Sequence, residues 1–106
     1  MNNGAKLLHF VTKMQSEYPE LSPDKVLIID FKTLEKIITP ARVELIETIR
    51  NKNPKSVIEL SMIVKRRQEA VSRDLTILHN YGVLEFARIG KTRKPIVEKD
   101  IFALTC

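Results

Sequence analysis

Between Ser56 and Gly82 the apolar residues recur at helical spacing in two short blocks, and only Lys65-Arg66-Arg67-Gln68 lies between them. That stretch is polar and too short for anything but a turn, so the blocks are expected to fold as two short helices packed on one another. In the first, Ser56 stands at the N-cap and Glu59 completes a capping box, with Val57, Leu60, Ile63 and Val64 as the expected core face. The second is expected from about Gln68 to Asn80, buried through Val71, Leu75 and Leu78. It stops at Tyr81-Gly82, where glycine supplies a left-handed C-cap.

Beyond Gly82 the period changes. Leu84, Phe86 and Arg88 alternate with Val83, Glu85 and Ala87 as in a strand, leading into Ile89-Gly90-Lys91-Thr92-Arg93-Lys94-Pro95. The heptad reads as a hairpin tip, with Ile96-Val97 and Ile101-Phe102-Ala103-Leu104 as the return strand or strands. Upstream, Val26-Leu27-Ile28-Ile29 is a β-branched run expected as a short strand. Asp30 then N-caps a short helix carrying Leu34, Ile37 and Ile38. Thr39-Pro40 ends it and opens the next, with Thr39 as N-cap and proline at the first helical position. Val43, Leu45, Ile46 and Ile49 are its apolar residues, and Asn51-Lys52-Asn53-Pro54 is its stop. Nearer the N-terminus, Leu7, Phe10, Val11 and Met14 fit one face of a helix over residues 5–16, followed by a proline-containing linker at 18–24. The expected fold is therefore α+β and mainly helical: a winged helix-turn-helix with a C-terminal β-hairpin wing and an extra N-terminal helix. Residues 1–29 form the N-terminal helix and linker, and residues 30–106 the domain proper.

A chain of 106 residues supplies one domain, which leaves little room for a two-domain enzyme with a deep cleft. Its net charge of +5 is unevenly placed. Residues 65–94 hold eight basic against three acidic side chains, while the remainder is balanced at ten against ten. An excess gathered on one motif points to a polyanion. The single cysteine, Cys106, allows no internal disulfide or zinc cluster and suits a reducing, cytoplasmic compartment. No apolar run approaches the roughly 20 residues of a membrane span, and no secretory signal is evident.

The segment Ser56-Val57-Ile58-Glu59-Leu60-Ser61, the eight residues Met62 to Glu69, and Ala70-Val71-Ser72-Arg73-Asp74-Leu75-Thr76-Ile77-Leu78-His79-Asn80-Tyr81-Gly82-Val83-Leu84 together resemble the winged helix-turn-helix of MarR/ArsR-like transcriptional regulators. Two positions depart from that pattern: Ser61 where the family prefers alanine, and Lys65 where the turn often has glycine. The lead-in Phe31 to Ile46, with Thr39-Pro40-Ala41-Arg42 inside it, is similar to archaeal and bacterial antitoxin-like winged-helix regulators, in which a Leu-Thr-Pro-x-Arg motif opens the first helix. The resemblance covers residues 30–106 and implies sequence-specific binding of double-stranded DNA. It is more specific for fold than for role, since winged helices also serve as protein-binding modules.

Helical geometry supports DNA contact on its own. With Val71, Leu75 and Leu78 turned inward, Glu69, Arg73, Thr76 and partly Ser72 project from the opposite side of the helix that Gln68 begins. Arg73 is suited to guanine O6 and N7, and Ser72 or Thr76 to a phosphate or base. Its competing role is an ion pair with Asp74 or Glu69. Glu69 repels phosphate, so it reads cytosine N4 or is simply a surface residue. Arg66 and Arg67 precede the free N–H groups of the helix start, and Lys91, Arg93 and Lys94 on the wing are placed for adjacent backbone or the minor groove. Ile77 points away from the core stripe, toward the wing or a partner. The stripe Leu7, Phe10, Val11 and Met14 is either internal core or the contact of a homodimer. The alternative to a DNA-binding regulator is an interaction module, either an antitoxin masking a toxin or a winged helix within a transcription complex. His9 and His79 lack ligand-spaced neighbours, there is no glycine-rich phosphate loop, and Ser72 has no nearby histidine. Neither a metal, a cofactor nor an enzymatic activity is expected.

Overall fold

The computed structural model describes residues 26–104, with side chains as far as Lys99. The helix expected at 5–16, its stripe Leu7, Phe10, Val11 and Met14, and the linker at 18–24 lie outside the described residues. The order of elements is β1 (Val26–Asp30), α1 (Phe31–Ile37), α2 (Pro40–Lys52), α3 (Val57–Val64), α4 (Gln68–Asn80), β2 (Glu85–Ile89), β3 (Thr92–Ile96) and β4 (Asp100–Leu104). This is an α+β fold in which a hairpin follows four helices, a winged-helix-like arrangement.

The helices α1, α2 and α3 each begin where the sequence offers an acceptor for an orphan backbone N–H. The Asp30 carboxylate accepts the Thr33 amide at 3.2 Å and the Thr33 hydroxyl at 2.6 Å. The hydroxyl bond first and the amide second hold that carboxyl below its ordinary 3.8. Thr39 Oγ1 accepts the Arg42 amide with Pro40 at N1, and Ser56 Oγ accepts the Glu59 amide at 3.0 Å. The reciprocal arm of the capping box is displaced by one residue, because Glu59 Oε2 accepts from the Lys55 amide at 2.9 Å. The end of α4 is a Schellman motif: Gly82 at φ +81° lets the Val83 amide reach the Leu78 carbonyl at 2.9 Å. The end of α3 copies it with Lys65 at φ 58°, the Arg66 amide reaching the Ser61 carbonyl at 3.1 Å.

The core is Leu45 and Ile49 from α2, Val57 and Leu60 from α3, and Val71, Leu75 and Leu78 from α4. Ile29, Ile37, Val83 and Leu84 close it. Two positions on α3 correct the sequence reading. Ile63, expected in the core, is exposed, and Ser61 is buried in its stead. The inward face runs 57, 60, 61, 64, a regular helical stripe, whereas position 63 is rotated off it. Ser61 tolerates burial because its hydroxyl donates to the Ile58 carbonyl at 2.7 Å. Ile77, left open by the sequence, packs partly buried against the core.

The β structure departs further from expectation. The tip is not the heptad 89–95 but the two residues Gly90 and Lys91, since Ile89 pairs with Thr92 and the ladder continues to Glu85–Ile96. Gly90 has φ +62° while Lys91 does not have positive φ, the pattern a type II′ turn requires. The Thr92 hydroxyl closes the turn on the Ile89 carbonyl at 2.8 Å. Arg93 and Lys94 therefore sit in a strand rather than on a loop. The second correction concerns residues 100–104, which do not return along the hairpin. They form β4, paired in parallel with β1 from Val26–Asp100 to Asp30–Leu104.

Candidate nucleic-acid interface

The surface of interest is built on α4. Burial of Val71, Leu75 and Leu78 turns Gln68, Glu69, Arg73 and Thr76 outward, where all are exposed; Ser72 is half-buried at the margin. The Thr76 hydroxyl donates to the Ser72 carbonyl at 2.9 Å, which leaves its lone pairs to receive a donor. Arg67 occupies the N-cap and makes no side-chain cap hydrogen bond to the first-turn amides of α4.

The wing is braced on that helix. The Phe86 ring lies 5.3 Å from the His79 ring and receives the Arg93 guanidinium at 4.6 Å from its centroid. His79 Nε2 also stands 3.6 Å from Glu85 Oε2. These contacts join the last turn of α4 to the first residues of β2 and fix the direction of the hairpin. Lys91 and Arg93 are exposed and Lys94 is half-buried.

Arg66 is placed differently from the other predicted cations. Its Nη2 donates to Asp74 Oδ2 at 2.8 Å, while Arg42 Nε donates to Asp74 Oδ1 at 3.1 Å. Arg42 Nη1 in turn donates to the Ile37 carbonyl at 3.0 Å and sits 3.5 Å from that of Lys36, at the end of α1. One carboxylate thus joins α2, α4 and the turn before α4, with only 15% of its side chain exposed. The ion pairs offered to Arg73 on sequence grounds do not form in the case of Asp74, which is committed to these two arginines.

The sequence places Glu69, Arg73, Thr76 and partly Ser72 on the outward side of the helix; in the structure Glu69, Arg73 and Thr76 are exposed, Ser72 is half-buried, and Arg67 is the N-cap ahead of Gln68. Sequence reasoning missed Arg42, Asp74, His79 and Phe86 as organising residues. For Asp74 a signal existed: it lies three residues after Val71 and four before Leu78, so it flanks the core stripe, where a lone charge requires a partner. Arg42 was within the quoted Thr-Pro-x-Arg motif.

Among the described residues there is no cluster of three metal-ligating side chains, and no helix is long and apolar enough to cross a membrane. No curated protein and no solved structure matches the chain. A family model does match, over residues 37–104, which takes in the end of α1, α2, the helix pair, the wing and β4. The chain belongs to the HVO_A0114 family.

Proposed function

We propose that this domain is a cytoplasmic DNA-binding transcriptional regulator, with α4 entering the major groove and the wing lying on flanking backbone. The observation that carries the reading is the joint exposure of Arg67 at the N-cap of α4, of Arg73 on that helix, and of Lys91 and Arg93 on a wing braced against it. Phosphate contacts from Arg67, Lys91, Arg93 and Lys94 would set the register, and Arg73 with Ser72, Thr76, Gln68 and Glu69 would meet base edges. The resemblance of residues 56–84 to MarR/ArsR-like regulators supports the same role, and a homodimer would double the contacts. The test is an anisotropy titration against DNA upstream of its own gene at two salt concentrations. Binding with a steep salt slope, weakened about 5- to 150-fold by Arg73→Ala, is the expected result. Micromolar binding indifferent to that substitution would remove the proposal.

A second reading, a protein-interaction module such as an antitoxin or a part of a transcription complex, has its own observation. Ile58 and Met62 stand one turn apart on α3 and are 51% and 68% exposed. Paired apolar side chains held outward on one helix are a docking feature. Co-expression with the product of the adjacent gene should yield a complex that Met62→Asp abolishes; an unaltered complex would place the contact elsewhere.

A further inference from the structure

Asp74 lies on the helix that faces DNA in the reading above, yet its side chain points away from the exposed row of Arg73 and Thr76 and into the junction of three elements. Its two oxygens are occupied by different guanidinium groups, Arg42 Nε at 3.1 Å and Arg66 Nη2 at 2.8 Å. Arg42 is itself held by the carbonyl of Ile37, so the carboxylate is anchored from the interior side. Arg66 is held from the exterior side. Its Nη1 is buried with no hydrogen-bond partner among the described residues, and its side chain is 28% exposed. With one terminal nitrogen bound to Asp74 and the other enclosed, the guanidinium does not present its fork to solvent.

From this geometry we infer that Asp74 is a positioning and specificity residue, which fixes the turn between α3 and α4 and withholds Arg66 from the phosphate backbone. The inference rests on the DNA reading. Its physical basis is the difference between two kinds of contact. A cation free in the turn, beside the uncapped start of α4, would grip phosphate on any sequence and raise affinity everywhere alike. A cation locked to Asp74 adds nothing to non-specific binding, and leaves discrimination to the base-facing row. The same lock aligns α4 with α2, because the carboxylate that holds Arg66 also holds Arg42.

The experiment compares the full chain with Asp74→Asn, Arg66→Gln and the double variant, titrating a mixed-sequence duplex over a series of salt concentrations. Thermal melting shows which variants are folded. Asparagine keeps the shape at position 74 and removes the charge. In the expected result, Arg66→Gln alone leaves the salt slope unchanged, because Arg66 is not on the DNA. Asp74→Asn steepens the slope by about 0.9, one added phosphate contact, and tightens mixed-sequence binding several-fold at low salt. The double variant returns to the original slope, an outcome that mere loss of packing would not produce. A wild-type slope for folded Asp74→Asn, or a slope reduced by about 0.9 in Arg66→Gln alone, overturns the inference. If Asp74→Asn does not fold, the Arg66→Gln slope decides by itself. Failure of the unmutated chain to bind duplex at low salt overturns the DNA reading and this inference with it, whereas normal binding with an unresponsive Asp74→Asn removes the inference alone.

Discussion

Lys65 holds a left-handed conformation at φ 58°, at the position where the α3 C-terminus closes as a Schellman motif. A residue with a Cβ carries a cost of about 1 kcal/mol there, which glycine avoids. Lys65→Gly should therefore raise stability by about 0.5 kcal/mol after the larger backbone entropy of glycine in the unfolded chain is subtracted, measurable by urea denaturation. A loss of stability would mean that the lysine contributes more through its side chain than its backbone costs. The substitution removes an exposed charge that forms no ion pair among the described residues, so helix boundaries should be unchanged. The resemblance to regulators with glycine at this point made the position visible in the sequence. Asp74 was less visible, because its partners Arg42 and Arg66 come from α2 and the turn, and a pairing across distant segments leaves no periodic trace.

At the scale of elements, the described helices were legible almost to the residue, since caps and apolar spacing are local properties. Thr39-Pro40, Ser56 and Gly82 mark boundaries that the structure keeps. The face of α3 was misjudged at positions 61 and 63 because a polar side chain conceals a core role. Ser61 is buried with its hydroxyl bonded to its own helix, which gives a paired prediction. Ser61→Ala removes a donor together with the need for it and should change stability by less than about 0.5 kcal/mol. Leu60→Ala, one position earlier and fully buried, should cost about 2–5 kcal/mol. Equal losses in chemical denaturation of the two variants would contradict this assignment of the face. The wing was misread for the opposite reason. Thr92, Arg93 and Lys94 look like loop because a two-stranded ladder needs little apolar alternation, and Pro95 looks like a breaker although it fits opposite Phe86. The practical result is a wing in which the Arg93 guanidinium lies over the Phe86 ring while remaining exposed.

For the molecule as a whole, the pairing of β1 with β4 joins the beginning of the described chain to its end. Nothing in the local pattern of either run announces a parallel partner, so the sequence offered the hairpin as the nearest available one. In kinetic terms the two sheets are far apart. The hairpin closes over Gly90 and Lys91, whereas the parallel pair encloses almost every other described element between its strands. That closure carries on the order of 3 kcal/mol more chain entropy than the hairpin turn. The helix pair and wing are therefore expected to assemble early, and the parallel pair to be the slow, final closure. Amide exchange under native conditions should show Leu27 and Ile29 opening more readily than Leu75 and Leu78, a ranking that uniform protection would contradict. The surface proposed to meet DNA would then survive such openings intact, while the seam formed by the two ends of the domain opens and recloses independently of it.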